Sequence, residues 1–457
     1  DASDDGGESD EPETEWGQDH NNHGTRSDND YISHVNDEPS VVSLVTLGSL
    51  IETLYSVTES VNAAVGDAVT AKQSVGVIGT ESGNLTVGSV IRSGADVGSI
   101  NAAIGYGSTA TQVIDSILDL NGDASVGSAT FSTANGAEVN VSLAANSSSE
   151  MLITSLTGTV QGAYASKSVV AGPINVTLGN QTSATTHLGA WEGDVQGSGN
   201  LNIQSTAALS AAIGDATEAR VRLGSQAVTG RAHTLNITVV SEGALAAPLG
   251  YDASAIIEAG NVDGVVGNAH VEVYTGPVIS AALGSRTHAT NKVANLDRDR
   301  RVEGSYRNVV KSGGLLAFAL GDNTHAVNAL GSVDADVSGN VDISVTAGEV
   351  ATGTVGERTV AETYLGSVLA DVDGSVDINV VVGAVNTFAV GLSTGKDIYA
   401  KTYVGNVTSR QAGSNITAST GAIFNLGLGL VIDVAGLTLD FSKQGCVMIA
   451  NQGSSPC

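Results

Sequence analysis

Hydrophobic and polar residues alternate in short runs along most of this chain, and glycines bound many of the runs. A period of two places the apolar side chains on one face of a β-strand and the polar ones on the other. The clearest runs, at 235–239, 341–345 and 376–380, have the form Val-Asp-Ile-x-Val or a close variant. They predict short strands with aliphatic residues inside and Asn, Asp or Glu outside.

The runs belong to a repeating unit. An aliphatic residue followed by glycine recurs about every 35 residues, at Gly66, Gly105, Gly179, Gly214, Gly250, Gly284, Gly321, Gly356 and Gly391. A further copy, Leu143-Ala144, has alanine in the glycine position. A fixed period over so long a stretch indicates one small unit that buries its apolar face only against its neighbours.

The residues after each glycine predict a strand bounded by corners. Thr commonly follows three residues later, Ala five later and an aliphatic residue nine later, as in Thr182, Ala184 and Leu188. These odd offsets share one strand face, which we expect to point inward. A second glycine often follows at offset ten, and glycine suits corners that other residues adopt with difficulty. The even offsets are predicted to face water, at Ser183, Thr185, His187, Glu218, Arg220, Arg222, His288, Thr290 and Lys292.

Three to four short strands per unit predict an all-β fold, a β-solenoid (β-helix) of about ten coils with a repeat of about 35 residues. At about 4.8 Å per coil the solenoid would be on the order of 50 Å long. Helical repeats of similar period need a 3.6-residue spacing that these segments lack. A propeller remains an alternative, although ten copies exceed the usual four to eight blades.

Composition narrows the range of partners. The net charge of −29 disfavours nucleic acid and anionic membranes. The aromatic content of 4% argues against a sugar-binding groove lined by rings. We find no apolar run long enough to predict a membrane span, and we expect no cofactor. The chain begins at Asp1, which suits an exported protein whose signal peptide has been removed.

Three regions differ in character. Residues 1–40 contain thirteen Asp or Glu and one basic residue, Arg26, which predicts an acidic N-terminal tail. Residues 41–425 carry the repeats, and residues 426–457 are predicted to form a C-terminal cap. Cys446 and Cys457 are the only cysteines, and we predict a disulfide between them, with two free thiols as the alternative. A disulfide would imply an oxidising, extracellular compartment.

Basic residues concentrate in one segment, and the candidate patch consists of Arg298, Arg300, Arg301, Arg307 and Lys311. Arg side chains form strong paired hydrogen bonds with carboxylates. One hypothesis is that this patch binds the acidic tail of another subunit. The alternative is a solvated loop with local Asp–Arg pairs.

Signals for catalysis or metal binding are weak. His187, His233, His270 and His288 fall in different coils, and we predict no catalytic residues and no metal site. Acidic residues in two adjacent coils could bind Ca²⁺ or simply face solvent, at Asp334, Asp336, Asp342, Asp371, Asp373 and Asp377. The Thr column could bind ice only if it faced outward.

The aliphatic-Gly-x-x-Thr-x-Ala and Val-Asp-Ile-x-Val units of residues 60–425 resemble the repeats of secreted bacterial β-solenoid adhesins of the filamentous-haemagglutinin type. This resemblance implies an exported structural protein without a cofactor. We therefore expect a non-enzymatic subunit of an extracellular filament or surface fibre that assembles end to end with copies of itself. The alternatives are a monomeric adhesin that binds cell surfaces or extracellular matrix, and a polysaccharide-processing β-helix enzyme.

Overall fold

The computed structural model describes residues 44–47, 50–57, 60–80, 84–119, 123–226, 231–297, 301–391, 398–407, 411–433, 436–440 and 444–449. The chain divides into two units, 1–41 and 42–457. The first unit, and with it the whole of the predicted acidic tail, lies outside the described residues. Within the described part every regular element is a β-strand, and no helix there could cross a membrane.

The strands stack in parallel and form a β-solenoid of about nine turns with a spacing of about 36 residues. This confirms the predicted fold class. Each strand pairs with its counterpart in the coils before and after, so equivalent residues form columns. Ala184, for example, is in register with Ala219, which is in register with Ala255.

The strands define three faces. Face 1 comprises Leu44–Leu47, Leu50–Val57, Thr159–Val160, Tyr164–Val170, Asp194–Ser205, Arg231–Ser241, Val265–Thr275, Arg301–Val302, Tyr306–Ser312, Asp336–Val337, Val341–Ala347, Val372–Val382 and Gln411–Thr420. Face 2 comprises Ser60–Val65, Pro173–Asn180, Ala208–Asp215, Ala244–Tyr251, Val278–Ser285, Leu315–Asp322, Val350–Glu357, Val385–Gly391 and Ile423–Asp433. The long strands Asn84–Ile104 and Ala124–Leu143 run through face 1 into face 2.

Face 3 is a separate sheet of Thr70–Val75, Thr109–Ile114, Ser148–Ile153, Ser183–Leu188, Glu218–Leu223, Ser254–Ala259, His288–Val293, His325–Leu330, Val360–Leu365, Tyr399–Val404 and Gln444–Ile449. The corner between face 3 and face 1 carries the short strands Ile78–Thr80 and Ile117–Asp119. It continues as single bridges through Leu156, Trp191, Gln226, Val262, Leu296, Val333, Val368 and Val407. Gly436–Asp440 pairs antiparallel with the end of Ile423–Asp433, in the region predicted to form a cap.

The main hydrophobic core lies behind face 1, where the aliphatic residues of each alternating run point inward as predicted. Leu201 and Ile203 are fully buried and belong to the same cluster as Val221 and Leu223 of face 3. Trp191 in the corner column joins this cluster, and its indole N–H donates to the Gly193 carbonyl at 2.6 Å.

The space between faces 2 and 3 is narrow, and most of the side chains that point into it are small or polar. The predicted inward Thr residues are buried there, including Thr182, Thr217 and Thr287. On face 2, buried asparagines form a ladder in which Asn62 donates to Asn101, Asn101 to Asn140, and Asn140 to Asn175, at 2.8–3.0 Å. Their amides also donate to face 3 carbonyls, which satisfies these buried polar groups across the narrow space.

The outward side of face 2 is apolar, the reverse of face 1. In Ala208–Asp215 the inward residues are Ala208, Ser210 and Ala212, whereas Leu209 and Ile213 point outward. The aliphatic residue before each corner glycine is therefore outside the solenoid. The repeat marks this residue in the sequence but does not show on which side of the strand it lies.

The corner glycines have the role that the repeat predicts. Gly214, Gly250 and Gly284 adopt φ angles of 128°, 137° and 125°, a region that side chains rarely occupy. Their backbones also stack closely, because a Cβ on Gly250 would lie 2.3 Å from the Gly214 carbonyl oxygen. Ala144 takes the same position with φ of 86°.

Substituting Ala for Gly250 should destabilise the solenoid by about 1–3 kcal/mol, because the new methyl group meets backbone in an unfavourable φ region. Thermal unfolding followed by circular dichroism measures the loss. Gly98→Ala is the matched control, since its Cβ would lie 3.7 Å from the nearest atom. Equal melting temperatures for the two variants would contradict this role of the corner.

Candidate functional site

The described members of the predicted basic patch contact their own chain. Arg301 pairs with Asp373 at 3.6 Å, and Arg307 with Asp342 at 3.6 Å. The Lys311 ammonium lies 5.4 Å from the centre of the Tyr274 ring. Both Arg–Asp pairs are exposed and join strands of different coils, and such pairs contribute little to stability. Arg301, Arg307 and Lys311 lie on strands of face 1, whereas the alternative interpretation had placed them in a loop. Arg298 and Arg300 lie outside the described residues.

The predicted disulfide is not described. Cys446 falls in strand Gln444–Ile449, whose side chains are outside the described set, and Cys457 lies beyond the described residues. The disulfide therefore stays a prediction.

Ionisable residues instead gather on the outer side of face 3, in a row that we call the charged trough. Its strand members, His187, Arg222, Glu258 and Lys292, occupy one column of four successive coils. The following corner supplies its second side, because the chain turns there beside the strand. The corner members are Glu192, Asp263 and Asp297.

Arg222 holds the centre of the charged trough. Its Nε donates to Glu258 at 2.7 Å and its Nη1 donates to Glu192 at 3.2 Å. The Arg222 and Glu258 side chains are only 16% and 9% exposed, so this pair is shielded from solvent. In the coil after Glu258, the Lys292 ammonium pairs with Asp297 of its own coil.

The surroundings of His187 and Asp263 shift the pKa of both side chains. His187 was expected at the surface but is buried, and its Nδ1 lies 3.9 Å from the Glu192 carboxylate of the following corner. Burial, with Arg222 and Arg220 nearby, lowers the pKa of His187 to about 3. Burial, with Glu258 and Asp297 nearby, raises the pKa of Asp263 to about 7. At neutral pH, His187 is therefore uncharged and Asp263 is partly protonated.

A shallow depression of about 220 Å³ extends the trough over the next coils. Lys292, Asp297, Asp334 and Tyr364 contribute to its lining. The Tyr364 ring stacks on Tyr403 with a centroid distance of 4.8 Å and an interplanar angle of 4°. This part of face 3 thus combines carboxylates, an ammonium and an aromatic surface.

The chemistry available in the trough is proton donation and ion pairing. A carboxyl group that is protonated near neutrality lies beside carboxylates held by Arg222 and Lys292. Among the described residues, no three His, Cys, Asp or Glu side chains are arranged to hold a metal ion. The acidic residues considered for Ca²⁺ make other contacts, as Asp342 and Asp373 do with Arg307 and Arg301.

The four histidines noted in the sequence are not brought together as a set. His187 lies in the trough, whereas His270 contacts Glu272 on face 1 at 3.0 Å. His288 packs edge-on against His325 of the next coil, with ring centres 6.1 Å apart. The alternating pattern did not predict the trough, and the signal for it is the row of ionisable residues at offset eight, His187, Arg222, Glu258 and Lys292.

Comparison with known proteins adds no assignment: no family model, curated protein or solved structure matches this chain.

Replacing Asp263 by Asn should remove a pH dependence of stability. Its folded pKa exceeds its unfolded value, so the folded state binds the extra proton between about pH 4 and pH 7. Stability from this group is present below pH 4 and is lost as the pH rises to about 7. The variant should therefore gain stability relative to the parent as the pH rises through this window.

The check is the difference in unfolding midpoint between parent and variant at several pH values. Parent and variant are compared at each pH because His187, whose pKa is lowered, makes the stability of both proteins rise between about pH 3 and pH 6.5. Subtracting one midpoint from the other removes this contribution. Asp215→Asn, at an exposed corner, is the control. A pH-independent difference would show that Asp263 is ionised throughout.

Proposed function

We propose that this protein is a structural subunit of an extracellular filament or surface fibre, assembled end to end from copies of the solenoid. The observation that supports this best is the state of the two end coils in the described part of the chain. Their interior positions are less buried than the same columns in the middle of the solenoid.

At the N-terminal end, Ala71, Gln73 and Val75 point inward but are only half-buried. Their counterparts Ala184 and Leu188 are fully buried. At the C-terminal end, Ile416 and Ala418 are half-buried, whereas Ile378 and Val380 one coil earlier are fully buried. A coil from another subunit would complete both ends.

Backbone hydrogen bonding also supports assembly through the end coils. Thr70–Val75 is the terminal strand of the face 3 sheet, and Gln444–Ile449 is the strand at its other end. The carbonyls of Val69 and Val75 accept from the next coil. By strand alternation the backbone groups of Thr70, Lys72 and Ser74 point the other way, and such an edge can pair with another chain.

The predicted joining parts keep their place in this proposal. The acidic tail of residues 1–40 would contact a basic patch that includes Arg301 and Arg307, both of which are more than half exposed. Their present partners are solvent-exposed carboxylates, so exchange for carboxylates of another subunit would cost little. Export, an extracellular site and the absence of an enzymatic role belong to the same proposal.

A second candidate is a polysaccharide-processing enzyme, which the charged trough favours. A protonated carboxyl beside ionised carboxylates is the pairing that glycoside hydrolysis uses. Turnover of acidic and neutral glycans by the parent, lost in Asp263→Asn, would support it. Turnover by neither protein would remove it.

Ser74→Pro tests end-to-end assembly. Proline removes the N–H that points to the open edge but should leave the ladder to Thr109–Ile114 intact. We expect the parent to form fibres in negative-stain electron micrographs and the variant to give short or single particles, with a similar melting temperature.

Ser74→Ala is the matched control and should assemble as the parent does. Fibres of unchanged length from the proline variant would contradict growth through this edge. A parent that never forms fibres, at any concentration or salt, would contradict the proposed function.

A further inference from the structure

The outward positions of face 2 form three columns that run along the described solenoid. The two outer columns are almost entirely large and apolar, at Val61, Ile100, Val139, Ile174, Leu209, Leu245, Ile279, Leu316 and Phe424, and at Val65, Ile104, Leu143, Leu178, Ile213, Leu249, Leu283, Leu320, Val355, Val390 and Leu428. Ala351 and Asn386 complete the first. No charged residue occurs in these described columns.

The middle column is mostly small. Ala63, Ala102, Ala211, Ala247 and Ala281 lie between the two outer columns in their coils. Face 2 therefore presents two aliphatic ridges with a groove between them that is lined mostly by small residues, with Val141 and Val176 in two of the coils. Toward the C-terminal end, Phe318 and Phe388 fill this groove, with their ring centres 6.2 Å apart.

This surface is open in the described part of the chain. Val65, Leu178 and Leu249 are 64%, 49% and 48% exposed. With strands about 4.8 Å apart and about 3.3 Å per residue, the columns cover on the order of 50 Å by 15–20 Å. Contiguous apolar patches on monomeric proteins are typically about 300–600 Å², so this one exceeds what a free surface normally carries.

We infer that face 2 is a lateral interface through which two copies of this chain pack face to face. The area supports a second copy, since about 800 Å² per partner is the size of a standard stable interface. The period supports it too, because ridges repeating at every coil match another face with the same repeat. Sheets pack in this way about 10 Å apart with their side chains interdigitated.

The other parts of the chain do not suit this surface. Residues 1–40 carry thirteen acidic residues, and residues 450–457 are small or polar, so neither offers an apolar cover. The net charge of −29 disfavours an anionic membrane. Polar residues border the apolar columns at the corner, including Asp322, which pairs with Arg358 at 3.0 Å, and such a rim is typical of an interface.

The inference rests on the proposed function and deepens it, since paired solenoids would thicken a fibre. Lateral pairing and the contacts between tail and patch should respond to salt in opposite ways. Two highly negative chains repel each other, so salt should strengthen lateral pairing by screening. Contacts between the acidic tail and the basic patch should instead weaken with salt. The two kinds of assembly can thus fail independently.

The test is sedimentation velocity of the full chain over a range of concentrations, at low and high salt. The parent is expected to dimerise, more tightly at high salt. The triple variant Ile213→Thr, Leu249→Thr and Leu283→Thr places β-branched threonines on the strands, which suits their conformation, but removes three large apolar side chains from the second outer column. It should weaken pairing on the order of a hundredfold.

The matched control changes outward valines of face 1, Val169→Thr, Val240→Thr and Val381→Thr, which are similarly exposed. It should pair as the parent does, and circular dichroism melts check that both triple variants are folded. A parent that stays monomeric, or a face 2 variant that pairs normally, overturns the inference. If association is lost in Ser74→Pro but kept in the face 2 variant, the lateral interface is overturned and the end-to-end proposal stands. A monomeric parent that floats with zwitterionic lipid vesicles assigns the face to lipid instead.

Discussion

In-register parallel stacking is the constraint on which the rest of this structure depends. Because each coil lies about 4.8 Å from the next, every residue touches the equivalent residue of its neighbours. The residues of one column therefore have to pack favourably against one another. Asparagines satisfy this by donating to one another, as Asn101 does to Asn140, and glycines satisfy it where Gly250 lies against Gly214.

The same constraint explains why face 2 is apolar on its outer side. Its inner side lies so close to face 3 that one asparagine side chain spans the gap, as Asn140 does to Thr185. Most inward side chains there are small or polar, and most of the large aliphatic residues of these strands are outside. On face 1 the space behind the sheet is wider, and Leu201 and Ile203 fill it. Within one coil, the face 1 strand thus has its apolar side inward and the face 2 strand has its apolar side outward.

The sequence allowed the fold to be predicted because the period and the glycine corners are local signals. The inward Thr, Ala and Leu of face 3 and the inward aliphatic residues of face 1 followed from alternation. Alternation alone could not assign a side to Leu209 and Ile213, because that depends on the distance between two faces. It also could not predict the burial of His187, which lies beside Arg222 of the next coil and Glu192 of the adjacent corner.

The charged trough has a similar origin. Arg222 and Glu258 are 36 residues apart and meet because the repeat places them in one column. A repeat alignment that recorded charge by position would have found them. Burial, with Glu258 and Asp297 nearby, raises the pKa of Asp263, a property of neighbouring coils that no single segment encodes.

Cryo-electron microscopy of the assembled protein tests the central claim, that stacked coils with incomplete ends continue from one subunit into the next. The account predicts fibres in which rungs about 4.8 Å apart pass through the subunit boundary without a break. Isolated solenoids whose end coils are closed by their own chain would contradict it.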